Sequence, residues 1–131
     1  MVEILIQGAV SSAIYAMLAV GFTLIFGVAR ILNLAHGSFY ALGAYGAYFF
    51  TSIDLPLVPA ALLSIAFVAV FGVLMERVFV RPMRTQSLLA VLMITLAVAL
   101  AVEQALFLSF GSEYRNVPAL VSTKFTIAGV D

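Results

Sequence analysis

The stretch "RILNLAHGSFYALGAYGAY", residues 30–48, decides how this chain folds. It holds Asn33, the only histidine of the chain (His36), three glycines and three tyrosines, yet it lies between long apolar runs. Upstream, residues 4–29 read "ILIQGAVSSAIYAMLAVGFTLIFGVA" without a single charge. A bilayer core takes about 20 apolar residues in a helix. Residues 4–29 meet that length, but the next run, residues 38–53, falls short of it. Its polar prelude "NLAHGS" would then have to supply a first turn at membrane depth. Irregular backbone is tolerated there only inside protein or beside a water-filled cavity.

Composition sets the class. Of 131 residues, 65% are hydrophobic and only 9% charged. A soluble domain of this size is roughly half apolar and a quarter charged, so this chain cannot cover itself with polar surface. An all-α polytopic membrane protein follows, with about four transmembrane helices and a broken or short second span. Zero net charge gives no sign of a nucleic-acid partner. The absence of cysteine removes disulfides, thiolate chemistry and thiolate metal sites. The opening "MVEILIQGAV" lacks the basic flank of a signal peptide and reads as a retained span.

Two further runs complete the set, residues 55–75 and 87–110. The tail, residues 111–131, is more polar and reads as a loop with an extended piece at "KFTIAGV". "SIDLPLVP" makes a tight turn whose prolines suit the start of a helix. "ERVFVRPMRTQ" reads as a longer loop holding Glu76, Arg77, Arg81 and Arg84. An excess of arginine marks the cytoplasmic side. Counting back through the spans puts Arg30 on that side too, and leaves the N-terminus and the 111–131 tail external.

Small residues fall at helical spacing in two runs: Gly8, Ser12, Ala16, Ala19, Thr23 and Gly27 in the first, and Gly43, Ala47 and Thr51 in the second. Such stripes let helices approach closely in lipid, so both runs are expected to pack against others. Around the break, Asn33 and Ser38 are candidate helix caps. Gly37 permits a bend, and His36 offers an imidazole that donates or accepts. With Tyr40, these residues are candidates for lining a path, because interrupted helices place free N–H groups beside anionic solutes. An ordinary interfacial turn is the plainer reading of the same residues. Glu103 is an acid within an apolar run, and such residues mark functional positions by default. It sits in the last third of its run, toward the outer surface. Tyr40, Tyr45 and Tyr48 read as interface anchors, with one able to face a path. No catalytic constellation, nucleotide-binding loop or metal cluster appears, so neither an enzyme nor a bound cofactor is expected.

"SAIYAMLAVGFTLIFGVARILNLAHGSFYALGAYGAY" resembles the opening of the permeases of branched-chain amino-acid ABC importers, of the LivH type. "MERVFVRPMR" and "LAVLMITLAVALAVEQALFLSFGSE" resemble the family's next segments, in the same order and spacing. The resemblance covers essentially the whole chain. It implies a subunit of the inner membrane that works with a second, LivM-like permease. Two cytoplasmic ATPase subunits and a periplasmic binding protein delivering leucine, isoleucine, valine or related amino acids and amides would complete the importer. ATP would be used by those partners, and Asn33, His36 and Gly37 would border the path or shape the broken span. Family members are about twice as long, and their ATPase-docking loop has no counterpart in these residues. Residues 1–131 therefore read as the N-terminal part of one permease domain, which should not transport alone. The rival reading is a four-span antiporter for cationic drugs and protons, dimeric and working through Glu103. A membrane subunit that only scaffolds its partners is a third.

Overall fold

The computed structural model describes residues 1–113. Four helices account for nearly all of them. Helix α1 spans Val2–Ala29, α2 spans His36–Ser52, α3 spans Leu57–Met83 and α4 spans Leu88–Phe110. Helices α1, α3 and α4 are long and apolar enough to cross a membrane. Helix α2 has 17 residues, about 25 Å at the rise of an α-helix, against a hydrocarbon core of about 30 Å. The second span is therefore short, as its sequence indicates.

Its start is set deep among its neighbours. His36 opens α2 beside Gly21 of α1, where an added Cβ would come within 2.7 Å of Nε2. Gly21 lies eight residues before the end of α1 at Ala29, or about 12 Å along its axis. On the other side the Leu34 N–H donates to Thr95 Oγ1 (3.3 Å), seven residues and about 10 Å into α4. Two independent neighbours thus put the first turn of α2 about 10 Å inside the helical layer. Residues 30–35, which are not helical, bridge that depth.

Helix α3 returns antiparallel to α2. Ser64 Oγ donates to the Gly43 carbonyl at 2.6 Å, and the Phe39 and Phe71 rings meet edge to face, 5.7 Å between centroids. A Cβ on Gly46 would sit 2.7 Å from Ser64 Oγ, so glycine there is what lets the two backbones come so close. Helix α4 runs parallel to α2, with contacts rising together from Leu34–Thr95 through Ser38–Ala99 to Tyr45–Phe110. The buried cluster of Ala35, Met75, Val80, Val98, Ala99 and Val102 gathers around the break.

One expectation changes. The segment expected to be a loop, residues 76–86, is mostly helical: α3 continues through a wide π turn at Glu76–Val80 to Met83. Pro82 explains the widening, because its ring crowds the carbonyl four residues back, at Val78. Only residues 84–87 remain irregular. The small-residue stripe of α1, from Gly8 through Ser12 and Ala16 to Gly27, is exposed. The face of α1 that is partly covered carries Ile14, Leu18, Gly21, Phe22 and Ile25, nearly opposite the stripe. In α2 the stripe fares differently: Gly43 packs against Val68 of α3, where an added Cβ would meet Cγ2 at 3.6 Å. Residues 114–131, with the extended piece read at "KFTIAGV", lie outside the described residues.

The two ends of the bundle differ in charge. Arg30, Arg77, Arg81 and Arg84 lie at one end with Glu76. The turn between α2 and α3 at the other end carries Asp54, and Glu113 follows the end of α4 there. Arg30 and Arg84 line one cavity, so the two arginine-bearing segments do share a side.

Candidate functional site

The candidate site is the first turn of α2 and what faces it. Asn33 turns the chain into the helix: its Oδ1 accepts from the Ala35 N–H (3.0 Å) and its carbonyl accepts from the His36 N–H (3.3 Å). This side-chain turn stands two residues ahead of the cap position, which Ala35 occupies. Neither Asn33 nor Ser38 is therefore the N-cap. The regular ladder starts with the Phe39 N–H on the Ala35 carbonyl. The N–H groups of Gly37 and Ser38 precede it, as in any helix start, and the positive end of the helix dipole lies there.

Ser38 is buried and faces α4. Its hydroxyl lies 3.3 Å from both the Ala99 carbonyl and Glu103 Oε1. One proton serves one acceptor at a time, so the hydroxyl chooses between backbone and carboxylate. Glu103 itself is exposed on α4. Its side chain reaches back along the helix, as helical side chains do, and meets the first turn of α2. The carboxylate is thus placed in the middle of the layer, deeper than its position in the sequence implies. The His36 ring stands 6.4 Å from that of Phe22, across from α4.

The structure brings Ser38 and Glu103 together, while Asn33 stays at the turn below them and His36 faces Gly21 and Phe22 of α1. Gly37 is beside them and open, with nothing within 4 Å of an added Cβ. Tyr40 is apart from them, lining the groove between α2 and α3. Tyr45 and Tyr48 pack on Phe110 at the far end, 4.9 and 6.2 Å between centroids. Above the break, α2, α3 and α4 line an open apolar cleft of about 360 Å³, walled by Leu42, Phe49, Phe67, Phe71 and Leu106. Among the described residues no group of acids and histidine is placed to hold a metal ion.

Thr95 is the participant that the sequence reading passed over. It is fully buried, donates to the Leu92 carbonyl (3.0 Å) and accepts from the Leu34 N–H. A signal for it exists in the sequence: Thr95, Ala99 and Glu103 recur every fourth residue, drawing one polar and small stripe down an otherwise apolar helix.

The described residues form a helical polytopic membrane bundle with one short span entered through irregular backbone, an arrangement that transporters use. The chain belongs to the family described as branched-chain amino acid transport system / permease component, which matches residues 4–129. It is similar to the high-affinity branched-chain amino acid transport system permease protein BraD of Pseudomonas aeruginosa, 29% identical over 130 residues. It is likewise similar to the permease protein LivH of the corresponding system in Escherichia coli K12 and in Salmonella typhimurium, 27% identical over 130 residues in each. In all three cases the similarity covers 92% of this chain and 42% of the relative, so the chain spans about two fifths of their length. No solved structure matches it. Membership of this family leaves the antiporter reading of Glu103 without support.

Proposed function

We propose that this chain forms part of the translocation path of an ABC importer for branched-chain or related amino acids, in the inner membrane. The observation that carries the proposal is the start of α2, set about 10 Å inside the helical layer, where Ser38 meets Glu103 of α4 and His36 lies against Gly21 of α1. The family match over residues 4–129 supports branched-chain amino acids as the solute. In this reading the partners are a second, LivM-like permease, two cytoplasmic ATPase subunits and a periplasmic binding protein. ATP is used by the ATPases, and the chain needs no cofactor of its own. The arginine-bearing end faces the cytoplasm, in keeping with the positive-inside rule, and the N-terminus faces out.

The test is uptake of labelled leucine by vesicles holding the complete importer. His36→Ala and Glu103→Leu should lower uptake while the assembled complex is recovered in normal amount. Uptake equal to wild type in both variants would make the break a feature of folding alone.

A further inference from the structure

The arginine-bearing end holds a cavity that the transport reading does not use. It has a volume of about 330 Å³ and lies where the end of α1 meets the turn between α3 and α4. Arg30, Arg84 and Gln86 give it a polar wall, while Ile31, Leu88 and Val91 give it an apolar one. We propose that this cavity binds the headgroup of an anionic phospholipid, with the phosphate between Arg30 and Arg84 and the glycerol and upper acyl carbons along Ile31 and Leu88.

Four observations lead there. The first is charge drawn from separate elements: one arginine follows α1 and the other follows α3, so the pair is made by the fold and not by one basic segment. The second is that Glu76 Oε1 holds Arg84 Nη2 at 3.0 Å. That contact engages one nitrogen of the guanidinium and leaves its other donors to a ligand, while the carboxylate offsets part of the charge. The third is the N-terminus of α4. Leu88, its first residue, lines the cavity, so the positive end of a 23-residue helix adds to the same field.

The fourth is the backbone of Arg30. It caps α1 in the left-handed region, φ 52°, with its N–H on the Phe26 carbonyl at 2.8 Å. Glycine is the usual residue at such a cap, and asparagine the next. That conformation costs an arginine more than a glycine, and with it Arg30 lines the cavity together with Arg84. The site also lies at helix ends, where headgroups are. Leu88 and Leu89 are exposed beside it, 59% and 62%, as suits contact with acyl chains. A basic cavity between membrane helices with an apolar flank has the shape of a phospholipid site. A free anion would leave that flank uncovered.

The experiment is native mass spectrometry of the full chain in detergent, titrated with phosphatidylglycerol, phosphatidylcholine and inorganic phosphate. Phosphatidylglycerol should bind in preference to phosphatidylcholine, and Arg30→Gln and Arg84→Gln should each weaken it about fivefold. Arg77→Gln and Arg81→Gln, outside the cavity, should change it by less than about twofold. Arg30→Gly should relieve the backbone, leave the circular-dichroism melt intact or raised, and still lose binding. That variant carries the test if Arg84→Gln, which also breaks the pair with Glu76, fails to fold. Equal binding of the two lipids would overturn the proposal. So would equal losses in all four arginine variants, which would show diffuse charge, or displacement of the lipid by phosphate at comparable concentration.

Discussion

Thr95 makes the irregular backbone of residues 30–35 tolerable. An N–H inside an apolar layer needs a partner, and Leu34 finds one in the Thr95 hydroxyl. Thr95→Val keeps the volume and strands that N–H, at a cost of about 1–3 kcal/mol. Thr95→Ser keeps the acceptor and should stay close to wild type. Thermal unfolding in detergent separates the two, and a Thr95→Val protein as stable as wild type would mean that the break is not held this way. Gly46 works by absence: a methyl there meets Ser64 Oγ at 2.7 Å, and moving that hydroxyl disturbs its bond to the Gly43 carbonyl. Gly46→Ala should cost about 1–3 kcal/mol, and distinctly less in a Ser64→Ala background. Equal costs in the two backgrounds would show that Ser64 is not the obstacle. Gly46 stands outside the small-residue stripe drawn from sequence. Spacing alone reveals that a face is small, and only the partner helix decides which small residue is closest.

Helix α1 is the least attached element. None of its residues is buried, and its contact with the rest is a narrow strip ending at Phe22 and Ile25. In detergent its amides should exchange faster than those of α2, α3 and α4, because few packed contacts protect them. Uniform protection across the four helices would contradict that order. The sequence showed α1 as a span but not which of its faces would be covered. Its stripe of small residues points away from the neighbours present, which follow the chain's path and not local composition. Helix α3 runs longer than its composition suggests. Charges at Glu76, Arg77 and Arg81 suggested a loop, yet glutamate and arginine are good helix formers. A helix of 27 residues is about 40 Å long and carries its charged end beyond the hydrocarbon. The break before α2 was legible because polar residues in an apolar chain have few places to go. Its partners on α4 were not, since the parallel register of α2 and α4 depends on where α3 returns.

At the scale of the molecule, charge and depth are organised together. Among the described residues the arginines gather at one end, while Asp54 and Glu113 mark the other. If the arginine end is cytoplasmic, a cysteine at Thr85 is shielded in intact cells from an impermeant thiol reagent, and one at Asp54 is labelled. The reverse pattern would invert the bundle. The central claim is the register of α2, whose first turn lies beside the middle of α4 and not beside its start. The absence of native cysteine gives cross-linking a clean background. The most direct measurement joins Ser38→Cys with Glu103→Cys in one chain and with Val91→Cys in another, using a short bifunctional reagent in the membrane. The account predicts that the pair at 38 and 103 cross-links readily, since Ser38 Oγ and Glu103 Oε1 lie 3.3 Å apart, and that the pair at 38 and 91 does not. Efficient cross-linking of 38 to 91, with none to 103, would place α2 at the surface of the layer and remove the interrupted span on which the functional reading stands.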